Sequence, residues 1–372
     1  MLSLSSLTGT SPADAARIAD YPREEQAGRA DDYYAAGGAP SAWAGSGAFA
    51  FGLAGSVDRQ VVINAMQGMN PMGESLVQGA GPSRRYGTDL TFSCPKSVSC
   101  IWSVADESMR ARIDQAQREA VTRTLAYIEQ DFHLARRGRG GLEKESASLV
   151  AAVYEHGSSR EGDPQRHSHV VLMNLGRRGD GTWGALDHSE IFKRKMELGA
   201  AYRAEMAAEL GRMGFQVEVD GKDTFRIVGV PTEVEKEFSR RREQITAALA
   251  ESGFSGGRAA EVAALNSRKG KELSDLDALR QNWLLRAAQH GLTPDLIESL
   301  HSPQQSTERP PFDAAKVLQE LTWSRAVLSE NDIKRASMVA AQFSGGGIAK
   351  GKELADQLKA SGVRLRGLDG QA

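Results

Sequence analysis

The sequence predicts an α+β fold, in which strand-like runs alternate with long helices. Three observations carry this. TDLTFS from Thr88, ASLVAAVYEH from Ala147 and HSHVVLMNL from His167 are short, alternating or apolar, and rich in β-formers. The second and third are joined by GSSREGDPQR, long enough to return the chain antiparallel beside itself. Residues 105–136, by contrast, place Ile113, Ala116, Ala120, Leu125, Ile128 and Phe132 on one helical stripe. The 372 residues are 40% hydrophobic and 25% charged, an ordinary globular balance that excludes wholesale disorder and a coiled-coil rod. A net charge of −2 means that any nucleic-acid surface must be a local patch. Two cysteines cannot build a disulfide framework, and no apolar run is long enough for a membrane span. The chain reads as soluble and cytoplasmic.

In chain order, residues 11–21 form a first helix, with Ser11 as cap and Pro12 at its first position. Pro22 disfavours helix at Tyr21, so this helix is expected to stop there. Residues 35–57 are rich in Gly, Ala and Ser and read as loop with short elements. The strand at 88 leads into PKSVSCIWSVA, a helix, then into the 105–136 helix, which RRGRGG ends. After the two apolar strands, RRGDG brings Asp180-Gly181, a hairpin turn, before WGALDHSE. Residues 191–213 are an amphipathic helix stopped by Gly214, and QVEVDGKDTFRIV is a second hairpin. Thr232 and Glu235 have capping-box spacing for a helix reaching about Leu249. The Pro-rich stretch 302–312 reads as a linker between a domain at 1–301 and a partial unit at 313–372.

The sharpest chemical signal is His156 followed by His167 and His169. Residues two apart on a strand share a face, so His167 and His169 project together, and an antiparallel return brings His156 beside them. Three imidazoles on a divalent ion leave coordination positions open, as a catalytic metal site requires. The chain has seven histidines, and on spacing alone the pattern also fits two surface histidines and a core one. Asp89, in TDLTFS, suits the carboxylate that orients a ligating imidazole, or else a turn residue. Cys94 and Cys100 read as packing. Three of the seven tyrosines crowd the N-terminus: Tyr21, Tyr33 and Tyr34. Tyrosine is a known covalent nucleophile, and ionising it at pH 7 costs about 4 kcal/mol, which a nearby metal can offset. Half-buried aromatics are the alternative.

HGSSREGDPQRHSHVVLMN resembles the three-histidine motif of the MobF-type (TrwC/TraI-like) conjugative relaxases, which are HUH endonucleases. Further stretches match in the same order. DYP and DDYY resemble the N-terminal tyrosine cluster, and SAWAGSGA with FGLAGSVD the loop after it. DLTFSCPKSVS resembles the Asp-bearing strand, and FSRRREQI (238–245) and LNSRKGK (265–271) later helical landmarks. LTWSRAVLSENDIKRA (321–336) resembles the opening of a helicase region. The family pairs tyrosines at both cluster positions, whereas here the first is Tyr21-Pro22.

The resemblance implies a central antiparallel sheet flanked by helices, a palm beneath mobile fingers. It implies strand-specific nicking and rejoining at an origin of transfer through a 5′-phosphotyrosyl link, initiating conjugation. Tyr21 would attack first, Tyr33 or Tyr34 would make a second transfer, and Asp89 would orient a histidine or assist deprotonation. A divalent ion, Mg²⁺ or Mn²⁺ with Zn²⁺ or Ni²⁺ as substitutes in vitro, would sit on His156, His167 and His169. The DNA, a hairpin plus a single strand, would meet local basic groups: Arg84, Arg85, Arg177, Arg178 and Arg241 among them. Accessory relaxosome proteins and a secretion coupling protein are the implied partners, in a bacterial cytoplasm, with transfer of the protein to the recipient cell. Two other classes fit the residues: a metal nuclease using water, and a non-catalytic replication-initiator module.

Overall fold

The computed structural model describes residues 1–27, 41–138, 141–159, 161–241, 243–244, 246–247, 276–301, 312–323 and 327–362, without the side chains of 21–27 and 276–277. Its centre is a six-stranded sheet. Strands β1 (Leu2–Gly9), β2 (Ser41–Ala44), β3 (Arg84–Ser93), β6 (Ser148–Ser158) and β7 (Pro164–Arg177) run in the order β1-β3-β7-β6-β2, and β8 (Trp183–Gly184) pairs with β7. Every pairing is antiparallel. Two small hairpins stand apart: β4 (Ala135–Arg137) with β5 (Glu143–Glu145), and β9 (Val217–Asp220) with β10 (Thr224–Ile227).

Helices cover both faces of the sheet. Helix α1 (Pro12–Ala27), α2 (Ser46–Ala50) and α3 (Arg59–Met66) bury Ala15, Ile18, Ala48, Val62 and Met66 against Ala152, Tyr154, Val171 and Met173. On the other face, α4 (Lys96–Val104), α5 (Glu107–Asp131) and α7 (Lys195–Arg212, preceded by α6 at Ser189–Lys193) pack on Leu90, Phe92, Leu149, Val170 and Leu172. The stripe on α5 lies wholly in that core, each large side chain contributing about 1.5–3 kcal/mol. Burial on two sides explains why HVVLMNL does not alternate, since neither face of β7 meets water. Cys94 and Cys100 are buried and free.

Several local elements differ from expectation, among them the helix from Thr232, which ends at Glu237 rather than near Leu249. Helix α1 does not end at Tyr21 but runs to Ala27. Pro22 removes one N–H from the ladder, yet the helix tolerates that loss, anchored by the buried Ala15, Ile18 and Ala19. Its start is as expected, because Ser11 Oγ accepts from Asp14 N–H while the Asp14 carboxylate accepts from Ser11 N–H at 3.1 Å. Helix α5 ends at Asp131, and 135–137 are strand because β5 offers them a partner. Thr232 and Glu235 form no capping box. Pro231 takes the cap of α8 (Thr232–Glu237), and Glu235 is held instead by Arg226 at 2.7 Å.

The C-terminal part continues with α9 (Leu276–Gln289), α10 (Pro294–Leu300), α11 (Ala314–Thr322), α12 (Glu330–Ser344) and α13 (Gly347–Ser361). Met338 and Ile348 enter the main core, and Ala341 and Leu354 pack on Ala204 of α7. No described helix is long and apolar enough to cross a membrane.

Candidate active site

Strand register assembles the histidines. His156 on β6 lies directly opposite His167 on β7, and His169, two residues on, lies opposite Tyr154. All three therefore project from one face, with ring centroids 5.1–5.3 Å apart and donor nitrogens within 4.8 Å of one another. His156 is fully buried and the other two are 8% exposed. The register of β6 and β7 brings the three rings together without any ion.

The neighbouring strand orients the set. On β3, Thr91 pairs with His169, which places Asp89 diagonally across. Asp89 Oδ2 is 2.8 Å from His169 Nδ1, and Thr91 Oγ1 is 3.2 Å from the same nitrogen. His167 Nδ1 lies 2.7 Å from the Gln165 carbonyl. A nitrogen facing a carboxylate or carbonyl carries the proton, so in His167 and His169 it is Nε2 that could offer a lone pair to an ion. The donor set fits a divalent ion with open positions.

Helix α1, which carries Tyr21, covers the same face: Ala15, Ile18 and Ala19 share a cluster with Tyr154. The Tyr21 side chain is not among those described, and Tyr33 and Tyr34 lie outside the described residues, as does LNSRKGK.

The basic residues separate into inward and outward groups. Arg84 donates to the carbonyls of Gln67 at 3.2 Å and Asn174 at 2.8 Å, bracing β3 against β7. Arg85 lies over the Phe192 ring at 5.5 Å. Arg178 turns back to the carbonyls of Arg136 and Trp183 and to Thr182 Oγ1. Arg241 donates to Gln244 at 3.3 Å and is half-buried. Arg177 is exposed at the base of the β7–β8 hairpin, opposite Trp183. That hairpin closes as expected, with Gly181 at φ +85° and Arg178 N–H donating to the Thr182 carbonyl at 2.8 Å. Trp183 stacks on Phe51 at 4.1 Å and 10°.

Sequence reasoning missed two buried groups. Arg166, the residue before His167, sits under the site. The signal was a charge in an otherwise inward-facing stretch. The second is His188, whose Nδ1 is 2.9 Å from Thr88 Oγ1. Burial, and then the charge of Arg85, push its pKa down to about 3. The unfolded chain takes up this proton below about 6.5, whereas the folded chain stays neutral to about 3. Stability from this residue is therefore complete above 6.5 and lost as pH falls, at roughly 1.4 kcal/mol per unit. Melting temperature measured from pH 7 to 5 should fall, and His188→Gln should flatten that slope; equal slopes would refute the assignment.

Three convergent imidazoles, backed by a carboxylate on an antiparallel sheet, form a group that could hold a divalent ion with positions open for a substrate, the arrangement of a metal-dependent enzyme. A family model described as TrwC relaxase matches residues 15–290. The chain belongs to the TrwC relaxase family. Two relatives, each described as multifunctional conjugation protein TraI, come from Escherichia coli and its strain K12. They are 32% and 30% identical over 267 and 322 residues, or 68% and 82% of this chain. The chain spans only 15% and 18% of their lengths. Among solved structures, conjugative relaxase TrwC in complex with oriT DNA, copper-bound, superposes with TM-score 0.68 at 35% identity, covering 78% of this chain and 99% of its own. TrwC with a 27-mer DNA comprising the recognition hairpin and the cleavage site gives 0.66 at 34% identity, with the same coverage.

Proposed function

We propose that this chain nicks and rejoins one DNA strand at an origin of transfer through a covalent 5′-phosphotyrosyl link, and so initiates conjugative transfer. The observation that carries this is the histidine triad, oriented by Asp89 and the Gln165 carbonyl, under the helix that bears Tyr21. When bound, the divalent ion supplies positive charge at the scissile phosphate and stabilises the charge growing on its oxygens. Tyr21 Oη forms the bond to phosphorus, the P–O3′ bond breaks, and the phenolic proton ends on the departing 3′ oxygen. The link conserves the phosphodiester, so the reaction is reversible. Tyr33 or Tyr34 performs the second transfer. Mg²⁺ or Mn²⁺ is the working ion; imidazole ligands also admit Zn²⁺ or Ni²⁺ in vitro. Residues 1–301 hold the site, 302–312 connect it onward, and accessory relaxosome and coupling proteins meet the chain in the cytoplasm. The test is incubation with origin-bearing single strands and a denaturing gel. A protein–DNA adduct is expected; cleavage without adduct would point to water as nucleophile, and binding without cleavage to an initiator module.

Two outcomes follow. Asp89→Asn keeps the shape but loses the charge that pairs with His169, and Mn²⁺ affinity, read by calorimetry, should drop ~10–100-fold. Unchanged affinity would remove Asp89 from the site. Arg177→Ala should weaken binding of a hairpin-bearing origin by about 1–3 kcal/mol if the β7–β8 ribbon reads bases in the major groove. A loss shared by all sequences, with a flatter salt dependence, would mean phosphate contact only. Unchanged affinity at low and high salt would eliminate the ribbon as a DNA contact.

A further inference from the structure

We infer that Arg166 is a positioning residue for the metal centre, fixing from the reverse face of the sheet the strand pairing that brings the histidines together. The inference rests on the metal reading above. His156 and His167 sit opposite each other on different strands, so their separation depends on how β6 and β7 pair. The ladder falters at that point, with a register shift between His156 and Ser158. Arg166 and Glu155 point away from the histidines, toward α4 and α5. The Arg166 side chain is 4% exposed, and its Nη1 donates to the His156 carbonyl at 3.2 Å. Its Nη2 meets the Glu155 carboxylate, and its Nε lies 2.6 Å from Asp114 Oδ1, which also accepts from Trp102 Nε1 at 2.9 Å. Its backbone is held as well: Arg166 N–H donates to Ser99 Oγ at 3.1 Å, and its carbonyl accepts from Cys94 N–H at 3.0 Å.

One planar guanidinium thus ties β6, β7 and α5 together behind the ligands, a geometry a lysine cannot reproduce. A group needed only for packing would be apolar here, because buried charge carries a desolvation cost that a hydrophobic replacement avoids. What the network supplies instead is a fixed position for the His156 backbone relative to β7.

The test titrates Mn²⁺ alone into the protein by calorimetry, with thermal unfolding in parallel. R166M/D114N/E155Q removes all three charges together, so no lone buried ion is left. It should melt near wild type while Mn²⁺ binding weakens ~tenfold or more. Wild-type Mn²⁺ affinity in the triple variant would overturn the inference. If the triple variant does not fold, Arg166→Lys takes its place, because it retains the charge and loses the fork. Weaker Mn²⁺ binding at an unchanged melting temperature supports positioning, and unchanged binding refutes it. Wild-type protein that binds no Mn²⁺ would instead sink the metal reading itself, and this inference with it.

Discussion

Replacing His167 with alanine is expected to abolish strand cleavage while leaving oligonucleotide binding nearly intact. His167 faces His156 across the β6–β7 seam, its Nδ1 lies against the Gln165 carbonyl, and it is one of the three histidines whose ligand atoms lie within 4.8 Å of one another. Loss of one of three ligands removes several kcal/mol of transition-state stabilisation, which is ~10³-fold or more in rate. The backbone pairing survives because a strand residue keeps its ladder bonds whatever its side chain. Single-turnover cleavage and filter binding, measured on the same variant, separate the two effects. Cleavage at the wild-type rate by His167→Ala in chelator would refute the metal centre.

The second large effect is on Tyr21. Tyr21→Phe deletes one hydroxyl, leaving helix α1 its packing through Ala15, Ile18 and Ala19. The covalent adduct should disappear, with no change in melting temperature or metal affinity. Mass spectrometry of the wild-type adduct gives the direct check. A nucleotide on Tyr33 or Tyr34, with Tyr21 unmodified, would move the nucleophile to the second cluster. The unpaired Tyr21-Pro22 position makes this the decisive measurement for the division of labour among the tyrosines.

How far the site could be read in advance depends on how local each relation is. The convergence of His167 and His169 follows from a period of two along one strand, and His156 from one antiparallel return. Both are short-range, and the register bears them out. The ordered motifs brought the family into view for the same reason, since each is a contiguous stretch. The end of α1 was misjudged because a local rule about Pro22 was outweighed by burial of the preceding turn. The capping box at Thr232 failed because Glu235 has a distant, better partner in Arg226. Arg84 and Arg178, read as members of a basic surface, spend their donors on backbone carbonyls within the fold.

By itself the sequence determined the alternation of strands and helices, the grouping of three histidines and the family, because each is written in residue types at short fixed spacing. Only the tertiary structure decided which face the three histidines share, that Asp89 reaches His169 from the next strand, and which arginines remain outward. It also placed Arg166, Glu155 and Asp114 together beneath the site. The physical reason is that a charged side chain's role depends on what lies within a hydrogen bond of it. For these groups the partners stand from 11 to 80 residues away along the chain, brought near only when the sheet closes and the helices pack on its two faces.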